Sequence, residues 1–230
     1  MTYATVHPPR TGWALPTSST TSTTVHKVPA KPGVTTTVST PRAIEGYASP
    51  GGRATTTVPT TWLGSPLVMP VIGTAPGYFD VRLPSRPNGS TAWIKSAGLI
   101  ISATPFKIVV NLTTKHLQLL KYGKVIFSAP VGVGTAQYPT PTGNYYVGAF
   151  AAPPNSSYGP FVMVTTAHSN KITDWAGSGD AVVAIHGPIG ADRQIGTTGA
   201  RVSHGCIRMH VADQVHLAVV SIGTPVTITY

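Results

Sequence analysis

The segment ARVSHGCIRMHVAD, residues 200–213, carries the side chains in this chain that are best suited to chemistry. It contains Cys206, the only cysteine in a chain of 230 residues. Arg201 and Arg208 flank this cysteine, and nearby positive charge is expected to lower the pKa of a thiol. Upstream, His186 ends the apolar run AVVAIH. Because a thiol nucleophile needs a base within hydrogen-bond distance, the pattern predicts that His186 activates Cys206.

Gly205 precedes the cysteine and lets backbone N–H groups approach a reacting carbonyl, as an oxyanion hole requires. Two other roles for Cys206 stay open at this point. A lone cysteine is often simply a buried apolar residue. Alternatively, Cys206, His186, His204 and His210 could supply zinc ligands. The metal interpretation is the weaker one, because the chain has no CxxC pair and no HExxH motif, so we predict no metal site.

Composition excludes several other reaction classes. Glycoside hydrolysis by paired carboxylates needs two Asp or Glu residues flanking one bond, but residues 105–230 contain no Glu and only scattered Asp. Neither a Walker loop nor a strand–GxGxxG–helix unit is present, so no cofactor is predicted. Sixteen Lys and Arg against six Asp and Glu give a net charge of +10, which favours anionic partners. No run of like charges or RNA-binding motif occurs, so nucleic acid is not a predicted partner.

The elements that must position these residues divide the chain into three predicted parts. Residues 1–45 are rich in Thr, Ser and Pro and are predicted to be a disordered linker or stalk. Residues 46–104 are predicted to form a small all-β accessory module, because runs such as YFDVRL alternate between apolar and polar residues. Residues 105–230 contain further strand patterns separated by turns. They predict a mostly β catalytic domain, a β-sandwich or open barrel.

One short helix is predicted in this last part, in the segment VADQVHLAVVSI. Val211, Val215, Ala218 and Ile222 would lie near one face of that helix. Its β-branched content makes it a poor intrinsic helix, so tertiary packing must stabilise it.

The block IHG at His186, followed by a loop and then SHGCIRM at Cys206, closely resembles the active-site signature of the L,D-transpeptidase catalytic domain, also called the YkuD domain. The similarity extends over residues 105–230, from FKIVVNLTTKHLQLLKYGKVIFSAPVGVG through TPTGNYYV to GTPVTITY. The resemblance implies a mostly β fold and a cysteine acyltransferase of bacterial peptidoglycan. The thiol would attack the carbonyl of the third residue of a stem peptide and expel a terminal D-amino acid. A side-chain amine of a second stem would then resolve the thioester, or water would do so in an L,D-carboxypeptidase.

The resemblance also implies a role for each site residue. The cysteine is the nucleophile, the histidine is the general base, and a backbone carbonyl orients the histidine in place of an Asp. Two backbone N–H groups form the oxyanion hole, and the remaining side chains shape the pocket, bind a substrate carboxylate or contribute to a lid. By this resemblance, the nucleophile is Cys206, the general base is His186, and the orienting carbonyl is that of Gly187. The oxyanion N–H groups are those of Gly205 and Cys206. Ser203 and His204 shape the pocket, Arg208 binds the substrate carboxylate, and Tyr158 contributes to the lid.

Stem peptides as donor and acceptor are the partners implied by the resemblance, and the positive charge suits anionic cell-wall polymers. We expect a monomer that acts outside the cytoplasmic membrane and is acylated at Cys206 by carbapenems. The segment MTYATVHPPRTG lacks the apolar core of a signal peptide, so we expect a removed signal or anchor, or another export route. Two further hypotheses are a non-catalytic wall-binding protein, which would be expected to lack Cys206 or His186, and a papain-like hydrolase, in which the cysteine precedes the histidine.

Overall fold

Strands dominate the computed structural model, which describes residues 31–197 and 199–230. The first nine strands are β1 (Thr35–Ser39), β2 (Ile44–Tyr47), β3 (Ala54–Val58), β4 (Thr61–Trp62), β5 (Ser65–Pro66), β6 (Met69–Ala75), β7 (Tyr78–Arg82), β8 (Thr91–Lys95) and β9 (Ile100–Thr104). Seven of them form an antiparallel sheet in the order β3-β2-β8-β7-β6-β1-β9, and β4 pairs with β5. Phe79 and Val81 on β7 are buried while their neighbours are partly exposed, as the alternation predicted.

This N-terminal module begins earlier than the sequence analysis predicted. β1 pairs with β9 from Thr35↔Thr104 to Ser39↔Ile100, and it also pairs with β6. The boundary predicted after residue 45 is therefore wrong for β1 and β2, while residues 1–30 of the predicted linker lie outside the described residues. The Thr-rich composition that suggested a linker is equally suited to a strand, because Thr is β-branched and favours extended backbone.

The second sheet is built from the rest of the chain. Its strands, together with two short ones that pair separately, are β10 (Phe106–Asn111), β11 (His116–Lys121), β12 (Lys124–Pro130), β13 (Val133–Gly134), β14 (Gly143–Ala151), β15 (Val162–His168), β16 (Val182–His186), β17 (Arg201–Ser203), β18 (Ile207–Arg208) and β19 (Pro225–Thr229). The order in the sheet is β12-β11-β10-β19-β14-β15-β16-β18, and β13 pairs with β17. β19 runs parallel to β10, and β18 runs parallel to β16. The prediction of a mostly β fold is confirmed.

The predicted helix exists only as a short α-helix, α1 (Val211–Gln214), continued by a 3-10 turn at Val215–Val219. Three of the residues placed near one face, Val211, Val215 and Ala218, are exposed. Gln214, Leu217 and Val220 are buried instead, with the spacing of three residues that a 3-10 turn produces. None of the helices in residues 31–197 and 199–230 is long and apolar enough to cross a bilayer.

Apolar contacts join the two sheets. Tyr146 lies on β14 of the second sheet but is buried in the core of the N-terminal module, where Trp62 also packs. Trp62 contacts a second apolar cluster beneath the site as well. Gly148 leaves room for this ring, since a Cβ atom there would lie 2.4 Å from Trp62. The N-terminal module therefore packs directly on the sheet that carries the site.

Candidate active site

The register of two parallel strands places the predicted catalytic pair together. β16 and β18 pair at Ile185↔Ile207 and His186↔Arg208. Both isoleucines are fully buried in the main core, so the alternation of side chains directs His186 and Arg208 to the opposite face. Cys206 immediately precedes β18, and its Sγ lies 3.5 Å from the backbone N–H of Ala184 on β16. The thiol and the imidazole therefore lie on the same side of neighbouring strands.

A backbone carbonyl orients His186, as the resemblance implied. Its Nδ1 lies 2.7 Å from the carbonyl oxygen of Gly187, and the ring is only 3% exposed. A carbonyl can only accept, so in the neutral ring the proton sits on Nδ1 and Nε2 keeps a free lone pair. The N–H of Gly187 donates to the carbonyl of Tyr158 at 2.7 Å, and the Tyr158 ring lies 4.9 Å from the imidazole. The Tyr158 ring thus packs against the His186 ring, and its part in a lid stays a prediction.

Burial keeps both members of the pair neutral. It lowers the pKa of His186 to about 4, against the hydrogen bond to Gly187, which raises it. Burial likewise raises the pKa of Cys206, while the Ala184 N–H and the positive charge of Arg208 lower it. The expectation that neighbouring cations lower this thiol pKa is therefore wrong in its net direction, because desolvation of the thiolate outweighs their attraction. At neutral pH the pair is therefore a neutral thiol and a neutral imidazole.

Ser203 holds the loop before Cys206 in place. Its hydroxyl donates to the carbonyl of Cys206 at 2.5 Å and accepts the N–H of Gly205 at 3.1 Å. Thr140 donates to the carbonyl of Gly205 at 2.8 Å. The assignment of Gly205 to the oxyanion hole therefore needs correction, because its N–H is already donated, whereas the N–H of Cys206 has no acceptor among the described residues. Ser203 was expected to line the pocket, but it is buried and holds the loop instead.

Arg208 reaches from β18 towards the chain that follows His186. Its Nη1 donates to the carbonyls of Pro188 and Ile189 at 3.5 and 3.4 Å. Its Nε is buried and has no acceptor within residues 31–197 and 199–230. A guanidinium with an unpaired buried N–H next to a nucleophile is suited to binding a carboxylate or carbonyl of a substrate.

His204 is exposed and belongs to a row of three aromatic side chains that we call the aromatic wall, Tyr138–His204–Trp175. The His204 ring lies 4.8 Å from Tyr138 and 5.5 Å from Trp175, both in tilted arrangements. Tyr138 and Trp175 are not among the site residues predicted from the sequence. An aromatic residue inside the polar, Gly-rich loop NKITDWAGSGD is the signal that points to Trp175.

The histidines considered as zinc ligands are separated in the structure. His210 pairs with Asp192 at 2.9 Å, away from the aromatic wall that holds His204. Across the part of the chain that the structure describes, no three His, Cys, Asp or Glu residues come close enough to hold a metal ion.

The fold and site thus define a mostly β protein with a cysteine–histidine pair on two parallel strand ends. The family model of the L,D-transpeptidase catalytic domain (YkuD) matches residues 105–228, and the chain belongs to this family. The YkuD protein of Bacillus subtilis is 31% identical over 125 residues, 54% of this chain, and that of Bacillus licheniformis is 29% identical over 126 residues. The match spans 66% of the length of each relative, just under two thirds.

The chain is also similar to solved structures of L,D-transpeptidases. The catalytic domain of an Enterococcus faecium L,D-transpeptidase, determined by NMR, is 27% identical with a TM-score of 0.38 and covers 54% of this chain and 95% of its own. An L,D-transpeptidase from Mycobacterium smegmatis is 17% identical with a TM-score of 0.41 and covers 70% of this chain and 82% of its own.

Proposed function

We propose that this protein is a cysteine acyltransferase that joins peptidoglycan stem peptides. The observation that carries the proposal is the hydrogen bond from Nδ1 of His186 to the Gly187 carbonyl, on a strand paired with the strand end of Cys206. This bond leaves Nε2 as the free base nitrogen of the His186 ring, which lies on the same side of the paired strands as the thiol. Membership of the L,D-transpeptidase family supports the same reaction class.

In the first half-reaction, Nε2 of His186 takes the proton of the Cys206 thiol as the sulfur attacks the carbonyl carbon of the third stem residue. The free N–H of Cys206 donates to the oxyanion that forms. The carbon–nitrogen bond to the terminal D-amino acid then breaks, and the proton on Nε2 passes to the departing amine. A thioester between the stem and Cys206 remains.

The second half-reaction reverses these roles. The side-chain amine of a second stem attacks the thioester carbonyl, and Nε2 of His186 takes a proton from that amine. The carbon–sulfur bond breaks, the sulfur recovers the proton, and an amide joins the third residues of two stems. With water as the acceptor, the same steps release a tripeptide. Because both partners start neutral, each proton transfer can accompany a bond change and needs no preformed thiolate.

A location outside the cytoplasmic membrane is part of this proposal, as is a carbapenem adduct on Cys206. The net charge of +10 suits an anionic cell wall, because opposite charge raises the local concentration of the substrate around the protein. Arg208 is the residue that we assign to a carboxylate or carbonyl of the donor stem, through its unpaired Nε.

The test compares intact masses after incubation with a carbapenem or with a disaccharide-tetrapeptide. Wild type, Cys206→Ala and His186→Ala are compared with His116→Ala, which removes an exposed histidine on β11. We expect an adduct on wild type and the His116 control, none on Cys206→Ala, and acylation about 100-fold slower on His186→Ala. A dimer of stems identifies transfer, and a tripeptide identifies hydrolysis. A wild-type protein that forms no adduct and releases no D-amino acid overturns the proposal in favour of a wall-binding protein.

A further inference from the structure

The loop that carries Trp175 is fastened to the N-terminal module rather than only to its own sheet. Residues 169–181 connect β15 to β16 and are here named the Trp175 loop. Inside it, the N–H of Trp175 donates to the carbonyl of Asp180 at 2.9 Å, and the N–H of Gly179 donates to Oδ1 of Asp174 at 2.9 Å. Asp180 is therefore directly linked to the residue that contributes to the aromatic wall.

Arg86, in the turn between β7 and β8, holds this loop at three points. Its Nε and Nη2 lie 2.9 and 2.8 Å from Oδ1 of Asp180, near the end of the loop. Its Nη1 donates to the carbonyl of Ser169 at 2.9 Å, at the beginning of the loop, and Nη2 donates to the carbonyl of Ile172 at 3.1 Å. One guanidinium thus bridges the two ends and the middle of the loop, which the planar geometry of Arg allows.

Asn88, two residues further along the same turn, holds the base of the loop. Its side-chain oxygen accepts the N–H of His168 at 2.8 Å, and its amide nitrogen donates to the carbonyl of His168 at 2.7 Å. The amide therefore satisfies the backbone at the end of β15 as a neighbouring strand would. The buried ring of His168 adds a contact from its Nε2 to the carbonyl of Pro84 at 2.8 Å. This turn, residues 84–88, therefore connects the N-terminal module to the Trp175 loop and to the end of β15.

We propose that Arg86 and Asn88 are positioning residues, through which the N-terminal module holds Trp175 beside His204 at the mouth of the catalytic site. This inference rests on the proposed function for its effect on catalysis, because the aromatic wall borders the site of acyl transfer. The substrate class that the wall meets is the donor stem peptide with its attached glycan. Loosening the turn moves a wall of the binding site and leaves Cys206 and His186 in place.

The contacts set the size of the expected effect. The Arg86 and Asp180 side chains are 37% and 36% exposed, so solvent screens their ion pair. Most of the stabilisation of the loop by Arg86 therefore comes from its hydrogen bonds to the backbone carbonyls of Ser169 and Ile172. Removing the guanidinium removes all three of these contacts at once, while Nδ1 of His168 stays 2.7 Å from Oδ2 of Asp180. We expect the Trp175 loop to open about tenfold more often in Arg86→Ala, which corresponds to roughly 1.4 kcal/mol of opening free energy.

Trypsin cleavage after Lys171, an exposed residue of the Trp175 loop, measures this opening without reference to catalysis. Arg86→Ala and Asn88→Ala are compared with Arg53→Ala, which removes an exposed arginine of the same module. Cleavage after Lys171, followed by mass, is expected to be about tenfold faster in Arg86→Ala and unchanged in the control. Arg86→Lys is expected to lie between them, because an ammonium group cannot reach all three acceptors.

Two further measurements distinguish a displaced aromatic wall from a change at Cys206 or His186. Alkylation of Cys206 by iodoacetamide is expected to stay within about twofold of wild type in Arg86→Ala, because the thiol and its base are untouched. With a disaccharide-tetrapeptide, we expect KM to rise about tenfold and kcat to change by less than about twofold.

The outcomes of this test are distinct from those of the proposed function. If wild type shows no acyl transfer but Lys171 is cleaved faster in Arg86→Ala, the hold on the loop stands and the assigned substrate is wrong. If Lys171 is cleaved at the same rate in Arg86→Ala and Arg53→Ala, with both proteins folded as judged by their thermal midpoints, the inference is overturned whatever the activity. A kcat loss with unchanged KM overturns the assignment to substrate positioning.

Discussion

Replacing Gly187 by Ala tests how precisely the backbone must hold the general base. A Cβ atom at this position would lie 2.5 Å from the carbonyl carbon of Tyr158 and 2.7 Å from the nitrogen of Gly159. Both are backbone atoms, so no side chain can rotate to make room. Non-bonded carbon atoms prefer a separation of about 3.5–4.0 Å, and the 3-10 turn at Ser156–Tyr158 must therefore move by about 1 Å.

That movement acts on the base through two hydrogen bonds. The N–H of Gly187 donates to Tyr158 at 2.7 Å and the N–H of Ile189 donates to Ser157 at 3.0 Å, so the turn and the segment after His186 are held together. We expect the free energy of unfolding to fall by about 2 kcal/mol, within the usual range for overpacking. A displacement of about 1 Å in the group that orients a catalytic residue costs about 100-fold in rate, and we expect acylation of Cys206 to slow by that factor.

The assay follows carbapenem acylation of Cys206 by intact mass and measures stability by urea unfolding. Gly199→Ala is the matched control, because no atom of residues 31–197 and 201–230 lies within 4 Å of a Cβ atom there and neither glycine has a positive φ. The difference between the two variants is therefore steric and not a matter of glycine's conformational freedom. If the rate of acylation of Gly187→Ala lies within about threefold of the rate for Gly199→Ala, the Tyr158–Gly187 contact does not orient His186 and the reasoning is refuted.

Three further outcomes follow from the neutral pair and its loop. Because the pKa of Cys206 is raised, its alkylation by iodoacetamide should keep rising with pH above neutrality, and a plateau below pH 6 would contradict this. Because the pKa of His186 is about 4 in the folded protein, stability should fall by up to about 3 kcal/mol from pH 6.5 to pH 4, and urea unfolding should show a smaller fall in His186→Gln. Ser203→Ala frees the N–H of Gly205 and should cost about 1–3 kcal/mol, whereas the exposed control Ser221→Ala should cost almost nothing in the same measurement.

Much of the fold and of the chemistry could be predicted from the sequence. Local alternation identified strands such as β7, because each strand has one buried face. The pairing of His186 with Cys206 was predictable from residue types, and the parallel register of β16 and β18 brings them together. The mostly β class and the L,D-transpeptidase family are both confirmed.

The rest could not be predicted, because it depends on contacts between distant parts of the chain. Arg86 and Asp180 are separated by 94 positions, and no local pattern pairs them. Whether the N–H of Gly205 is free depends on one hydroxyl rotamer of Ser203. The net shift of the Cys206 pKa depends on burial, which composition near the cysteine does not reveal.

β19 lies in the centre of the second sheet, between β10 and β14, although it is the last strand of that sheet in sequence. During synthesis, β10 and β14 cannot be joined until residues 225–229 have left the ribosome. The seven-stranded N-terminal sheet draws all its strands from residues 35–104 and can assemble much earlier. The catalytic half is therefore expected to fold slowly, since its central pairing closes a long loop. Until then its apolar strands are exposed to solvent and prone to aggregate. The N-terminal sheet, which forms earlier, is the first folded surface that they can pack against.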